Sequence, residues 1–299
     1  MTEVLLAGLC TLDVLQLVER YPADNEKVTA LTQTVAAGGP ATNAAATVAH
    51  LGGTATLLTA VGRHPLAAGI HADLADLGVR LIDLAADDPG PPAVSSIVVS
   101  AGTGNRAVVS TNGAARTVVP PGVLPISGDV RAVQVDGHHP ELAVAVLTEA
   151  RRRGIPTLLD AGSWKAVTPA LLPLVDVVVC SADFRPPRDI GVADLLAGHG
   201  VRWIAVSRGA EPLLRWTGAG FTEQPVPRTT VVDTLGAGDV LHGALTLAVA
   251  RRWPLTGATF AEALDEAAAV ATRSCASFGT RAWMSATNQD QILPDSGPR

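Results

Sequence analysis

Two hydrophobic patterns alternate along the second half of the chain. Short apolar runs, typical of buried strands, are separated by longer runs in which apolar residues recur at helical spacing. This alternation favours a doubly wound, mainly parallel sheet with helices on both faces. The predicted strands are 130–135, 156–160, 175–180 and 202–207, the predicted helices are 141–153, 240–252 and 260–277, and 213–226 is a predicted hairpin.

The first half of the chain has a different pattern. One buried strand is predicted at 4–9, whereas the segments 26–36 and 94–110 are rich in Thr, Val, Ile and Ser with rough alternation, which is typical of exposed strands. The second segment contains Gly-Thr-Gly-Asn at 102–105, a hairpin signal. We expect the two segments to form a small sheet apart from the main core.

Asp13 lies just past the carboxyl end of the first predicted strand. Ligands of open α/β sheets bind at that edge, which makes Asp13 a candidate for binding hydroxyl groups. An aspartate that only caps its own loop is the alternative interpretation.

Composition and charge exclude several classes of protein. The 299 residues are 47% hydrophobic and 17% charged, which excludes a disordered chain. A net charge of −6 without a long run of Lys and Arg argues against nucleic acid as a partner. The cysteines Cys10, Cys180 and Cys275 are far apart and odd in number, as expected of reduced thiols. Because the first apolar run is too short for a signal peptide or a membrane span, we expect a cytoplasmic protein without membrane partners.

The segment 233–239, Asp-Thr-Leu-Gly-Ala-Gly-Asp, enters the predicted helix 240–252. A Gly-Ala-Gly turn at a helix start exposes backbone N–H groups and the positive end of the helix dipole, which together bind phosphate. Asp239 adds a carboxylate that is suited to take a proton from a hydroxyl attacking that phosphate. A glycine turn with a capping aspartate is the alternative. A nicotinamide-dependent dehydrogenase is disfavoured, because no Gly-x-Gly-x-x-Gly follows the first strand.

A second glycine motif, Gly-Gly-Pro-Ala-Thr-Asn at 38–43, precedes an alanine-rich run. Gly38 and Gly39 let the backbone pass close to a ligand, and the alanines favour a helix that runs to about Leu51. Asn43 then projects from the first turn of this helix toward the same ligand. A plain helix start with a capping asparagine is the alternative.

Together, the two motifs resemble the two signatures of the PfkB, or ribokinase-like, carbohydrate kinase family. The resemblance covers residues 3–283 in order and spacing, and the motifs are nearest to those of ketohexokinases and bacterial sulfofructose kinases. It implies one α/β domain over 1–299, with a doubly wound, mainly parallel sheet, helices on both faces and a small β-sheet lid built from about 14–37 and 92–118. Since the lid forms a dimer clasp in many members, a homodimer is also implied.

The resemblance further implies a set of ligands and roles. ATP would be the phosphoryl donor, Mg²⁺ its metal and K⁺ an activating cation. Asp239 would be the catalytic base, and the N–H groups of Gly236, Ala237 and Gly238 would form an anion hole. The residues implied on the sugar side are Asp13, Gly38, Gly39, Asn43, Lys27, Arg106 and His138.

Other matches concern the nucleotide and the metals. Asp233 matches a monovalent-cation loop, and Asp183 would assist Mg²⁺ indirectly, although a helix-start aspartate is the alternative for Asp183. A buried inert thiol is the alternative for Cys275. The residues implied on the nucleotide side are Ser207, Gly209, Gly236, Gly238, Ala271 and Cys275.

The implied function is direct in-line transfer of phosphate from ATP to a primary hydroxyl of a small sugar of ketohexose or pentose type. Three departures from the family pattern bear on this. Pro40 replaces a polar residue common in ketohexokinases, His138 stands where a sulfofructose kinase is expected to have arginine, and Ser-Ala-Asp-Phe at 181–184 replaces an Asn-x-x-Glu motif.

Two alternatives stay open at this point. A nucleoside kinase of the same family is disfavoured because the segments 26–36 and 94–110 contain no Phe, Tyr or Trp to stack on a base. A non-catalytic sugar-binding sensor on the same scaffold is disfavoured by the intact Asp239, although the altered segment 181–184 leaves room for it.

Overall fold

A computed structural model describes residues 1–113, 116–186 and 191–285. Residues 114–115, inside the predicted lid segment 92–118, lie outside the described residues, as do 187–190 and the end of the predicted domain, 286–299. The strands are β1 (Glu3–Ala7), β2 (Thr11–Val18), β3 (Thr32–Gly38), β4 (Thr54–Thr59), β5 (Arg80–Asp83), β6 (Ala93–Ser100), β7 (Arg106–Ser110), β8 (Val130–Val135), β9 (Thr157–Ala161), β10 (Val177–Ser181), β11 (Trp203–Arg208), β12 (Glu211–Trp216) and β13 (Phe221–Gln224). The α-helices are α1 (Pro40–His50), α2 (Ala67–Asp76), α3 (Pro140–Arg152), α4 (Thr168–Leu171), α5 (Val192–Gly198), α6 (Ala237–Arg252) and α7 (Gly257–Ser274).

A large sheet forms the centre of the molecule, with the order β13-β12-β11-β10-β9-β8-β1-β4-β5. The strands from β11 to β5 are paired in parallel, and β12 and β13 extend the β11 edge as antiparallel strands. Helix α3 packs on one face, where Val133 and Val135 point, and α6 and α7 pack on the other face, toward Ala132. The predicted doubly wound, mainly parallel sheet is therefore confirmed.

A second sheet has the order β3-β2-β6-β7, in which β2 and β6 are parallel and the outer pairs antiparallel. We call these four strands the lid sheet. One face carries Leu15, Ile97 and Val99, which are buried against Leu235 and Phe278. The lid sheet thus packs over the loop that contains the 233–239 motif.

The bounds of β2 and β3 differ from two of the sequence-based predictions. Asp13 lies within strand β2 and not in a loop after β1, because the chain re-enters extended structure at Thr11. The polar segment 26–31 is not a strand, and regular pairing begins only at Thr32, where β3 meets Leu17 of β2.

Helices α1 and α6 cross closely, and both begin earlier than the sequence pattern predicts. A Cβ atom added to Gly243 would lie 2.5 Å from the main-chain oxygen of Ala44, so only glycine fits at this crossing. Helix α1 starts at Pro40 because proline is compatible with a first helical turn. Helix α6 starts at Ala237, within the glycine motif. Consequently, the first turns of the two helices lie side by side.

Candidate active site

Helix α6 begins at a turn that is open to a ligand. Gly236 precedes it with φ of 72°, a left-handed conformation that favours glycine, and a Cβ here would lie 3.1 Å from Cγ2 of Thr280. The first N–H groups of a helix have no acceptor within it. One of them, that of Ala237, donates to the oxygen of Thr234 at 3.3 Å. A Cβ on Gly238 would meet no atom within 4 Å, which leaves room for an anion beside the helix start.

Asp239 lies in the first turn of α6. Its Oδ2 accepts a hydrogen bond from Nδ2 of Asn43 at 2.7 Å, across the crossing of α1 and α6. Burial, followed by the negative charge of Asp160, raises the pKa of Asp239 to about 7, against the opposing effects of the Asn43 hydrogen bond and of His242. A carboxyl with a pKa near neutrality is well matched to proton transfer at physiological pH.

Asp160 and His242 form a buried pair behind this carboxylate, and the sequence motifs gave neither of them a role. Asp160 ends a predicted strand and lies in β9, where its Oδ1 accepts from the N–H of Gly162 at 3.1 Å. Its Oδ2 is 3.5 Å from Nδ1 of His242 on α6. The ring of His242 also contacts the oxygens of Gly238 and Val179 at 2.7 and 3.2 Å. The position of Asp160 at a strand end was the one signal that could have identified it.

Asp13 and the glycine pair lie at the junction of the lid sheet and α1. Oδ1 of Asp13 accepts from the hydroxyl of Thr11 at 2.6 Å, and burial raises the pKa of the Asp13 carboxyl. A Cβ on Gly38 would lie 1.8 Å from Oδ2 of Asp13. Gly39 has φ of 95° and lies so close to the oxygen of Leu9 that its own Cβ would be 2.5 Å away. Both glycines are therefore required by the packing around Asp13 and β1.

A second buried carboxylate, Asp136, ties the parts of this region together. Its Oδ2 accepts from the N–H groups of Leu9 and Ala41 at 2.8 and 3.2 Å, and its Oδ1 from the N–H of His138 at 2.9 Å. Nδ1 of the His138 ring is 3.3 Å from the same Oδ1. Although burial raises it, the pKa of Asp136 is held well below its usual range by His138 and by these N–H donors. Nδ1 of His138 thus faces Asp136, a residue that no sequence motif contained.

The two lid cations lie in different surroundings. Arg106 in β7 donates from Nη1 to the hydroxyl of Thr234 at 2.8 Å, so the lid sheet brings it to the 233–239 motif. Lys27 is exposed in the connection between β2 and β3, and the described contacts do not link it to the other site residues.

Arg281 is a site residue that lies outside both motifs. It follows α7 in sequence, and its Nη1 donates to Oδ1 of Asn43 at 3.0 Å. Nη2 donates to the oxygen of Ala37 in β3, and Nε is 3.5 Å from a carboxylate oxygen of Asp73 in α2. No spacing in the sequence pointed to this arginine.

Besides Gly236 and Gly238 at the start of α6, the residues predicted on the nucleotide side lie in two separate segments. Ser207 is the penultimate residue of β11 and donates to the oxygen of Cys180 at 3.4 Å, and Gly209 forms the turn into β12 with φ of 65°. Ala271 is in α7, and Cys275 follows it with Sγ 3.4 Å from the oxygen of Ala271. Burial raises the pKa of the Cys275 thiol, as expected of an unreactive thiol.

The two residues predicted at metal sites differ in burial. Asp233 is buried, and its two oxygens accept from the N–H groups of Leu235 and Gly279 at 2.9 and 3.0 Å. Asp183 is exposed just after β10, and its N–H donates to the hydroxyl of Ser181 at 3.0 Å. Among the residues that the structure describes, no group of three or more His, Cys, Asp or Glu side chains is arranged to hold a metal ion.

This combination of a two-sheet α/β fold, a glycine turn at a helix start and a carboxylate beside it has its counterpart in a known family. The model of the pfkB family of carbohydrate kinases matches residues 1–287, and the chain belongs to that family. It is a phosphotransferase, a kinase of sugars or nucleosides. No helix among the described residues is long and apolar enough to span a membrane.

Three relatives illustrate the similarity. An ATP-dependent ribose-1-phosphate kinase of Halopiger xanaduensis is 27% identical over 253 residues, which are 80% of this chain and 82% of the relative. A structure from Agrobacterium tumefaciens, provisionally assigned as a ribokinase, is 26% identical with a TM-score of 0.78 and covers 93% of this chain and 92% of its own. A ribokinase of Arabidopsis thaliana, solved with ribose and ATP, is 21% identical with a TM-score of 0.71, and the match covers 93% of this chain and 94% of its own.

Proposed function

We propose that this protein transfers the terminal phosphoryl group of ATP directly to a primary hydroxyl of a small sugar, with Asp239 as the base. The observation that carries the proposal is the position of Asp239. The Asp239 side chain has a pKa raised to about 7, and it lies between the open start of α6 and the Asn43 amide. The reaction would take place in the cytoplasm, where ATP is available.

Different residues of the chain would perform the separate tasks of an in-line phosphoryl transfer. Asp13 and the backbone at Gly38 and Gly39 orient the sugar, so that one hydroxyl faces Asp239. Asp239 takes the proton of that hydroxyl as its oxygen attacks the phosphorus. The N–H groups at the start of α6 then stabilise the charge that collects on the transferring group.

Arg106 would complete this anion site from the lid. Its contact with Thr234 holds a guanidinium group beside the helix start when the lid sheet is packed on the loop. A cation in that position neutralises phosphate charge, and a packed lid excludes water that would otherwise be phosphorylated in place of the sugar.

The nucleotide and metals would be held at the opposite edge of the turn. The Ser207–Gly209 turn and the end of α7 at Ala271 and Cys275 would border the nucleotide. Bound Mg²⁺ supplies neutralisation of the phosphate charge, and the exposed Asp183 would bind it through water. Asp233 keeps lone pairs beyond its two N–H bonds, a donor set that suits a monovalent cation such as K⁺.

A pentose is the acceptor that we favour, with a ketohexose second. The Halopiger relative acts on ribose 1-phosphate. Nδ1 of His138 faces the carboxylate of Asp136, and an imidazole beside a carboxylate is a poor substitute for an arginine that binds a sulfonate. The four strands of the lid sheet contain no aromatic side chain to stack on a nucleobase.

Phosphoryl transfer to a panel of acceptors tests this function. The panel contains ribose, ribose 1-phosphate, fructose, an aldohexose and adenosine, each with Mg·ATP in the presence and absence of K⁺. We expect turnover with a pentose or a ketohexose and none with adenosine. Turnover with adenosine and with none of the sugars would show that the protein is a nucleoside kinase. Tight sugar binding without any turnover would show that it is a non-catalytic sugar-binding sensor.

The lid sheet would also join two copies of the chain. Its outer face carries Val14, Val35 and Val109, in register across Ser96, and no helix or strand of the described part of the chain packs on this row. Val35 and Val109 are the more exposed of the three. Apolar side chains in one row on a sheet face favour burial against an equivalent face.

A further inference from the structure

Arg281 lies where the lid sheet, α1 and α2 meet, and its guanidinium contacts all three. The contacts are with the main-chain oxygen of Ala37 in β3, with Oδ1 of Asn43 in α1 at 3.0 Å and with Asp73 in α2 at 3.5 Å. The side chain is 18% exposed. A cation this well buried, with acceptors on every side, holds its partners in one arrangement.

The contact with Asn43 determines which way that amide points. A guanidinium group only donates hydrogen bonds, so the Asn43 atom that faces Arg281 has to be the carbonyl oxygen. The amide nitrogen of Asn43 then faces Asp239 and donates to it at 2.7 Å. A reversed amide would place oxygen against the carboxylate of Asp239 and N–H groups against the guanidinium, which makes two repulsive contacts at once.

We infer that Arg281 is a positioning residue for phosphoryl transfer. It fixes the Asn43 amide as a hydrogen-bond donor to the catalytic base, and through Ala37 it ties that arrangement to the end of lid strand β3. The inference rests on the proposed function, because Asp239 is a base only if the chain is a kinase.

The charge of Arg281 also reaches the sugar side. Burial raises the pKa of Asp13, and the positive charge of Arg281 acts against that increase. Loss of Arg281 should therefore change the surroundings of both carboxylates. Asp239 would lose its aligned Asn43 donor, and Asp13 would lose the electrostatic attraction of a nearby positive charge. We propose that ATP binds at the other side of the motif, and the contacts of the Arg281 guanidinium among the described residues do not include the residues proposed there.

Arg281→Gln tests the inference, with Arg252→Gln as the matched control. Arg252 is 23% exposed, forms ion pairs with Glu262 and Glu266, and lies at the far end of the helix that carries Asp239. We expect Arg281→Gln to reduce kcat roughly 10- to 100-fold, the range for a misplaced catalytic group, with the KM for ATP unchanged. We expect the acidic limb of its kcat profile to move to higher pH, because Asp239 loses an aligned donor. Arg252→Gln is expected to keep the wild-type kcat and profile.

Two further measurements separate positioning from a loss of folding. Guanidinium ion added to Arg281→Ala should restore part of kcat, which it would not do for a merely unfolded protein. In addition, Asn43→Ala should add little to the effect of Arg281→Gln in a double-mutant cycle, since both act on one contact. Additive losses, or a kcat that guanidinium leaves unchanged, would overturn the inference.

A measurement on the protein without substrates keeps the inference testable if no sugar is phosphorylated. Carboxyl ¹³C resonances of labelled aspartate, assigned with Asp239→Asn, report the titration of Asp239 directly. The midpoint should lie at higher pH in Arg281→Gln than in wild type and Arg252→Gln. An identical midpoint in all three proteins contradicts the role of Arg281, whereas absent turnover in wild type contradicts only the proposed function.

Discussion

At the scale of single residues, three carboxylates of the candidate site, Asp136, Asp160 and Asp239, lie in different surroundings. Asp136 accepts several N–H bonds and is held ionised, so it serves as a fixed anchor. Asp160 is paired with His242 and contributes its charge to the surroundings. Asp239 has one donor and two nearby negative charges, and its pKa rises to about 7. The raised pKa of Asp239 suits it to exchange a proton near neutral pH.

This difference predicts the pH dependence of catalysis. The base that we propose, Asp239, can accept a proton only when it is ionised, so kcat should fall as the pH drops through about 7. Steady-state kcat with saturating sugar and Mg·ATP, measured across the range from about pH 5 to 9, provides the profile. An acidic limb near the ordinary aspartate pKa of about 4 would show that burial and Asp160 do not act on the base.

The raised pKa of Asp239 also predicts that the ionised carboxylate needed for activity destabilises the fold. A raised carboxyl pKa means that the folded protein binds the proton more tightly than the unfolded chain, so stability is lost as the pH rises from about 4 toward 7. Asp239→Asn removes the ionised form and should raise the free energy of unfolding at pH 8 by ~1 kcal/mol or more. Urea unfolding at pH 5 and pH 8 measures this, with Asp24→Asn as an exposed control. An equal effect of Asp239→Asn at both pH values would contradict the linkage.

At the scale of elements, the crossing of α1 and α6 brings the two sequence motifs together. Both motifs lie at helix starts, and Gly243 lets the helices approach until Asn43 reaches Asp239. The motifs were predictable from the sequence because glycine turns and helix starts are local features. Their contact was not, since the two partners are far apart in the chain.

The crossing can be tested by one added methyl group. Gly243→Ala places a Cβ against the backbone of Ala44 and should destabilise the fold by roughly 1–3 kcal/mol. It should also lower kcat, since the helices separate and Asn43 moves away from Asp239. Gly257→Ala, in a helix with open space around it, is the control. Urea unfolding and kcat measure both effects, and a Gly243→Ala protein as stable and active as its control would refute the close crossing.

The parts of the site that the sequence did not reveal share one physical cause. Asp136, Asp160 and Arg281 act through contacts with residues distant in sequence, and a lone aspartate or arginine has no distinctive local pattern. Asp13 was recognised as a ligand candidate, but its strand was not, since Thr11 to Val18 mixes polar and apolar residues. The central sheet was predictable because its buried parallel strands are continuous apolar runs, such as Val177–Ser181.

At the scale of the whole molecule, the lid sheet has two faces with different roles. The inner face packs on Leu235 and Phe278 and brings Arg106 to the 233–239 motif. The outer face presents the row of valines that we propose as the dimer contact. A lid held by a partner would couple assembly to catalysis, because the same strands carry Asp13 and Gly38, which we propose to contact the sugar.

A single charge on the outer face tests this arrangement. Val109 is 75% exposed in β7. Val109→Glu should convert a dimer to a monomer, since two carboxylates would be buried in one interface. Val123→Glu, at a residue that is 86% exposed and outside the lid sheet, should leave the dimer intact. Analytical ultracentrifugation reports the mass. A monomeric wild-type protein, or a Val109→Glu dimer as stable as the wild type, would rule out the lid interface.

The most direct test of the whole account is phosphoryl transfer by Asp239→Asn. Product formation from radiolabelled ATP and the best acceptor of the panel would be compared with wild type, and ATP affinity would be measured by calorimetry. We predict a loss of about 10²- to 10⁴-fold in kcat, typical of a missing general base, with an ATP Kd within a few-fold of wild type. An Asp239→Asn protein that phosphorylates sugar at the wild-type rate would contradict the assignment of the base, and with it the mechanism.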